Sequence, residues 1–203
     1  MKIICIGRNY ADHAMEMKSE VPKSPVFFMK PDTSLLKDGA DFYIPDFTND
    51  LHYECELVVK IDKAGKNIAE KFAPKYYSKV TLGIDFTARD LQQQCKENGL
   101  PWEIAKSFEH SAPISNEWID VKELDLNNTH FALNQNGKTV QKGHTADMIF
   151  SIDKLIAYVS RFMTLKTGDL IFTGTPAGVG PVKIEDKLEG YLEDKKMFEF
   201  TVK

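Results

Sequence analysis

Glu54 and Glu56, one residue apart in LHYECELVVK, carry the spacing in this chain that poses a chemical question. The β-branched run around them reads as a strand. Side chains alternate along a strand, so positions i and i+2 share a face. That puts both carboxylates on one side and Cys55 on the other. Like charges so close repel. On a solvated strand the repulsion is screened, and that is the ordinary state of such a pair. Two features point elsewhere. The apolar LVV that follows reads as a strand buried on both faces near its C-terminal end. Asp85 closes a second apolar run, VTLGID, just before a helix start. An aspartate there can serve as a cap or turn residue. It can also join Glu54 and Glu56 around a hard cation such as magnesium, which takes oxygen ligands and keeps positions for water and substrate. By pattern alone both readings stay open.

Other residues share this double character. Lys106 in EIAKSF has the ordinary reading of a solvated lysine. TGTPAGVGP, residues 173–181, reads as a tight loop after the strand DLIF. No Gly-Lys-Ser/Thr follows it, which argues against a nucleotide-phosphate site. His13 and Glu16 are spaced i, i+3 and share a face if the segment is helical. An isolated histidine is usually structural; one paired with a glutamate can act as a general base.

The elements that would position these groups are mostly strands. KIICIG, SPVFFMK, CELVVKID, KVTLGIDF, GDLIFTG and KMFEFTV read so, and THFALNQNGKTVQKG reads as a hairpin turning at Asn136-Gly137. In SIDKLIAYVSRFMTL, Ile152, Leu155, Ile156, Val159 and Phe162 form one helical stripe, with Ser151 as N-cap. In TARDLQQQCKENGLP, Thr87 is the expected N-cap, Asp90 stands three residues on, and Gly99 and Pro101 close the helix. A short helix is expected in NYADHAMEMKSEVPKSP, before Pro22. The fold class is mainly β with a few helices (α+β), without alternating βαβ order.

The chain has 203 residues, which suits one domain over 1–203 with a sizeable core. Its hydrophobic content of 42% excludes a disordered chain, and its net charge of -4 argues against a nucleic-acid partner. No apolar run reaches membrane-spanning length, so no membrane partner is expected. The N-terminus reads as a first strand rather than a signal peptide. Three well-separated cysteines without a CxxC pair indicate neither disulfides nor zinc, and a reducing cytoplasm is the expectation.

The segments IGRNYADHAMEM, VFFMKP, LHYECELVVKI, GIDFTARDLQ, LPWEIAKSFEHSAPIS, MIFSIDKLIAYVS and GDLIFTGTPAGVGPV occur in this order. Together they closely resemble the fumarylacetoacetate hydrolase (FAH) family, from near residue 6 to near residue 185. The combination of His52, Glu54, Glu56 and Asp85 (H-x-E-x-E…D) with GTPAGVG carries the resemblance. The GRNYADH opening is most similar to the branch containing acylpyruvate hydrolase and oxaloacetate decarboxylase. The resemblance implies a mixed β-sandwich roll, a homodimer, and Mg²⁺ or Mn²⁺ held by Glu54, Glu56 and Asp85. It implies a small 2-oxo acid substrate, with Lys106 as an active-site lysine. Arg8, Lys30, Arg89, Gln92 and Thr175 match positions around that substrate. Residues 8–22 resemble a lid carrying a His13–Glu16 catalytic pair.

The activity so implied is metal-dependent C–C hydrolysis of acylpyruvates such as fumarylpyruvate or acetylpyruvate, through an enolate. His13 with Glu16 would activate the water. Oxaloacetate decarboxylation or tautomerisation, and isomerisation of a 2-hydroxyhepta-2,4-diene-1,7-dioate type of substrate, use the same intermediate and stay as alternatives. So does a non-enzymatic β-rich protein with a structural metal site, whose ligands would all come from protein.

Overall fold

The computed structural model describes residues 1–17, 20–37 and 39–203. In chain order the strands are β1 (Ile3–Gly7), β2 (Val26–Lys30), β3 (Leu35–Leu36), β4 (Leu51–Tyr53), β5 (Cys55–Ile61), β6 (Tyr77–Ile84), β7 (Thr87–Ala88), β8 (Ala112–Pro113), β9 (Ile119–Asp120), β10 (His130–Gln135), β11 (Lys138–His144), β12 (Leu170–Phe172), β13 (Gly180–Pro181), β14 (Lys187–Leu192) and β15 (Lys195–Thr201). The α-helices are α1 (Ala11–Glu16), α2 (Arg89–Asn98), α3 (Glu103–Lys106) and α4 (Ile152–Val159).

A six-stranded sheet in the order β2-β1-β12-β5-β6-β9 forms the centre. It is mixed: β1 runs parallel to β12, and the other neighbours are antiparallel. A four-stranded antiparallel sheet, β11-β10-β14-β15, is the second layer. Smaller ladders, β13-β4-β7 and β3-β8, complete the set. The main apolar core draws residues from Ile4 to Val202, including Leu57, Val59, Leu82 and Ile84 of the central sheet and Leu133, Leu188 and Phe200 of the second. In β5, Cys55 to Val59 are all buried, as a strand covered on both faces requires. The fold is thus mainly β, with helices at the edges.

Several sequence expectations hold in detail. Asn136 and Gly137 both take positive φ in a two-residue turn between Gln135 and Lys138. Ser151 caps α4 by accepting from Lys154 N, and Gly99 ends α2 in the left-handed conformation. Others are corrected. Thr87 is not the N-cap of α2; it sits in β7, and Ala88 occupies the cap without a side-chain bond. Asp90 instead accepts from Thr48 Oγ1 and Asn49 N, tying the helix to the loop before β4. Phe162 lies past the end of α4 and is exposed, because the helix stops at Val159. The strand through LHYECELVVK is interrupted at Glu54. β14, whose KLEGYL alternates buried and partly exposed residues, and the short α3 were not anticipated.

The segment expected as a lid, 8–22, is partly anchored. Asn9 is fully buried. Its amide donates to Phe150 O and Thr173 O and accepts from Phe150 N. Tyr10 bridges to Met148, and Tyr10 and Ala14 sit in the interior. These contacts hold the start of α1 beside the loop after β12. Residues 18 and 19 of the segment lie outside the described residues.

Candidate active site

The antiparallel β5–β6 ladder explains why three carboxylates meet. Cys55 pairs with Ile84 and Glu56 with Gly83. Continuing the register by one places Glu54 opposite Asp85, and Asp85 N indeed donates to Glu54 O at 2.8 Å. Directly opposed side chains lie about 5 Å apart at Cβ, with the diagonal neighbour still within reach. Glu54 and Glu56 therefore converge with Asp85 despite the break at Glu54. One oxygen from each lies within 4.8 Å of the others, and all three residues are buried. Cys55 points away into the core and is fully buried.

Cations surround two of the three acids. Lys106, at the C-terminal end of α3, donates to Glu54 Oε2 at 2.8 Å, Asp85 Oδ2 at 2.8 Å and Thr87 Oγ1 at 2.5 Å. Arg89 Nη2 donates to Glu54 Oε1 at 2.7 Å. Lys30 Nζ lies 2.9 Å from Asp85 Oδ1, out of hydrogen-bond alignment, and donates to Phe86 O, Lys106 O and Ser111 Oγ. Burial alone would raise the pKa of Glu54, but Lys106 and Arg89 hold it well below the carboxylate range. Burial would strip Lys106 of its proton; Asp85 and Glu54 more than offset this and raise its pKa.

Glu56 differs. Among the described residues no ammonium or guanidinium lies within ion-pair distance of it. Its Oε2 accepts from Gly174 N at 2.7 Å. Burial, then Asp85 and Glu54, push its pKa well above the ordinary value. A buried cluster of hard carboxylate oxygens, one lacking a counter-charge, is a donor set that fits Mg²⁺ or Mn²⁺.

The loop after β12 is held against this cluster by a buried amide. Gln141 of β11 accepts from Cys55 N and donates to Thr175 Oγ1 and Pro176 O. Thr175 Oγ1 in turn donates to Cys55 O. Gly174 has φ +102, and a Cβ there would stand 2.7 Å from Asn9 Cβ. Gly174→Ala is expected to cost about 2–4 kcal/mol through backbone strain and overpacking. Thermal unfolding should show a midpoint lower by roughly 5–15 °C. An unchanged midpoint would contradict the close approach of this loop to Asn9.

A cavity of about 40 Å³ opens onto the cluster. Of the residues expected at the site, Arg8, His13, Glu54, Glu56, Asp85, Arg89, Gln92, Lys106 and Thr175 border it. Lys30 does not: it is buried behind Asp85. Glu16 stands behind His13, whose Nδ1 is 3.2 Å from Glu16 Oε2, and Gly178 N donates to Glu16 Oε1 at 3.1 Å. His52 of β4 also lies off the cavity, its Nε2 paired with Asp50 Oδ1 at 2.8 Å. Burial and Arg89 lower its pKa. Sequence reasoning missed Thr87, the Gly174 N–H, Lys96, Phe28 and Trp102. For Lys96 a signal existed: Arg89, Gln92 and Lys96 fall at i, i+3 and i+7, one face of a helix. The Gly174 amide had none, because a backbone donor is invisible to residue type.

The arrangement can hold a divalent cation, bind an acid beside it, and place an imidazole–carboxylate pair at the same opening. Known proteins are similar to this chain over its whole length. The family profile described as Fumarylacetoacetate (FAA) hydrolase C-terminal matches residues 2–203. A Bos taurus protein named Oxaloacetate tautomerase FAHD1, mitochondrial, is 44% identical over 200 residues, 98% of this chain and 90% of that protein. The crystal structure of fumarylpyruvate hydrolase from Pseudomonas aeruginosa in complex with Mn²⁺ and pyruvate superposes with a TM-score of 0.92 at 34% identity, covering 100% of this chain and 88% of that one. That of 5-carboxymethyl-2-hydroxymuconate delta-isomerase from Mycobacterium smegmatis gives 0.86 at 33%, covering 99% and 78%. This chain belongs to the fumarylacetoacetate hydrolase family.

Proposed function

We propose that the protein is a divalent-cation-dependent enzyme that hydrolyses the C–C bond of acylpyruvates such as fumarylpyruvate or acetylpyruvate. One observation carries this reading: the Glu54–Glu56–Asp85 cluster, Lys106 and the Glu16-backed His13 meet at one cavity. Glu54, Glu56 and Asp85 hold Mg²⁺ or Mn²⁺, which when bound supplies a Lewis acid to stabilise charge on the 2-oxo oxygen. Arg89, Gln92, Thr175 and Arg8 orient the substrate, and Lys30 fixes Asp85 from behind. His13, oriented by Glu16, takes a proton from the water that attacks the distal carbonyl. The bond between that carbonyl carbon and C3 breaks, and its electron pair passes to the pyruvate fragment as an enolate. Lys106 stays protonated between its carboxylates and offers positive charge as the enolate forms. Return of the proton taken by His13 to C3 yields pyruvate and a carboxylic acid.

A second reading is oxaloacetate tautomerisation or decarboxylation. The acid cluster and Lys106 suffice for it, because it needs no base to deprotonate a water. The similarity to the bovine oxaloacetate tautomerase FAHD1 supports it too. The same enolate would serve, without an attacking water. Exposed Phe47 and Ile104 border one apolar hollow, which supports a homodimer. All three cysteines are unpaired and buried, which supports a reducing compartment such as the cytoplasm. No described helix is long and apolar enough to cross a membrane.

A substrate panel tests the reading. With Mg²⁺ or Mn²⁺ present, acetylpyruvate, fumarylpyruvate, keto and enol oxaloacetate and a hydroxymuconate-type dienol are compared by kcat/KM. The expected result is the highest value on an acylpyruvate, with stoichiometric pyruvate. A value at least tenfold higher on oxaloacetate would replace hydrolysis by the second reading.

A further inference from the structure

The charges at the inner end of the cavity balance in a simple way. Glu54, Glu56 and Asp85 face Lys30, Lys106 and Arg89. Two further cations border the same cavity, Arg8 and Lys96. Among the described residues neither has a carboxylate within ion-pair distance, and Lys96 Nζ has only the Trp102 ring, 5.8 Å from its centroid. Lys96 is half-buried. Burial, then Arg89 and Arg8, hold its ammonium below the ordinary lysine value. Cations gathered in a partly buried pocket without a counter-charge repel each other, and an incoming anion relieves that repulsion.

The backbone keeps both residues in place. Arg8 adopts φ +60, an uncommon conformation for a residue with a Cβ. It is held there because Asn9, next in the chain, is locked to Phe150 and Thr173. Lys96 shares the cavity-facing stripe of α2 with Arg89 and Gln92. It lies two turns beyond Arg89, about 10 Å along the axis. Its ammonium stands over the ring of Trp102, which borders the same cavity. The inner end and Lys96 are therefore separate places for negative charge on one molecule.

We propose that Lys96 and Arg8 form a second anion subsite at the cavity mouth, which takes the distal carboxylate of a dicarboxylic 2-oxo acid. This rests on the 2-oxo acid reading above and narrows it to substrates charged at both ends. An acylpyruvate ending in a methyl group offers Lys96 nothing to bind. Lys96 is then a specificity-determining residue rather than a catalytic one.

Lys96→Met and Lys96→Arg test this with fumarylpyruvate and acetylpyruvate under the same divalent cation. Methionine keeps an apolar stem against Trp102, and thermal unfolding checks the fold. Lys96→Met should raise KM for fumarylpyruvate about 10- to 100-fold, the loss expected for one charged contact, with a smaller effect on kcat. The ratio of kcat/KM for fumarylpyruvate over acetylpyruvate should fall at least about tenfold, and Lys96→Arg should restore most of it. Calorimetry with the non-reacting fumarate and crotonate reads the subsite without turnover: Lys96→Met should weaken only the dicarboxylate. An unchanged ratio together with unchanged fumarate affinity would overturn the subsite and leave the 2-oxo acid reading standing. A wild-type enzyme that turns over no member of the substrate panel would overturn the reading itself.

Discussion

Glu54→Gln is expected to lower kcat/KM by at least about 10³-fold and to abolish the response to Mn²⁺, because the amide removes one hard anionic ligand and the charge that faces the cation. The variant keeps the shape of the side chain, and its one amide oxygen can keep either the Arg89 or the Lys106 bond, which in the wild type fall on different carboxylate oxygens at 2.7 and 2.8 Å. Asp85→Asn should behave alike. Glu56→Gln separates two roles, since Glu56 alone among the three lacks a cationic partner among the described residues and is tied to the backbone of Gly174. It should lose Mn²⁺ affinity while leaving the Lys106 and Arg89 pairs intact. The measurements are Mn²⁺ titration by calorimetry and activity in the presence of a chelator, with far-UV circular dichroism as the control for folding. Full wild-type activity in the chelator would sink the metal assignment and, with it, the Lewis-acid role given to these carboxylates.

His13→Ala is expected to separate the competing reactions. Removal of a general base typically costs about 10²- to 10⁴-fold. That loss should fall on acylpyruvate hydrolysis, which needs a water to be deprotonated. Oxaloacetate decarboxylation, which needs none, should drop by less than about tenfold on the same scale. His13 is buried and its Nδ1 is taken up by Glu16, which in turn is fixed by Gly178 N. Glu16→Gln should therefore give a weaker version of the same selective loss, by leaving the imidazole without its orienting charge. Equal losses of both activities in His13→Ala would refute the water-activating role and assign the pair to substrate binding or to shaping the cavity.

The two experiments also bear on the non-enzymatic alternative. A structural metal site fills its coordination with protein ligands, whereas the three carboxylates here border a cavity shared with His13, Arg89 and Gln92. Removing Glu54 from a structural site would lower stability without changing turnover of any 2-oxo acid.

Much of this was legible in the residues themselves. The alternation of a strand put Glu54 and Glu56 on one side and Cys55 on the other, and the carboxylates do converge while the thiol is buried. The Asn136-Gly137 turn, the Ser151 cap and the Gly99 stop follow from local backbone preferences and were readable for that reason. The i, i+3 spacing of His13 and Glu16 foretold their pairing, since one helical turn decides it. What failed locally failed to tertiary context: Thr87 is drawn into β7 by pairing with His52, which moves the N-cap to Ala88 and the helix start one residue on, to Arg89.

The long-range partners were settled only by the fold. Glu54 meets Asp85 because the antiparallel register of β5 on β6 sets them opposite one another, and register is a property of two strands rather than of either. Lys106 reaches both from a helix of four residues, and Lys30 stands behind Asp85 from the far edge of the central sheet. Gly174 supplies a backbone N–H to Glu56 across 118 residues of sequence. By itself the sequence determined which acids share a face of a strand, because alternation is intrinsic to one extended backbone. Among the described residues, the tertiary structure alone decided which cations balance two of them, which one keeps no counter-charge, and that Arg8 and Lys96 border the same cavity without a carboxylate partner.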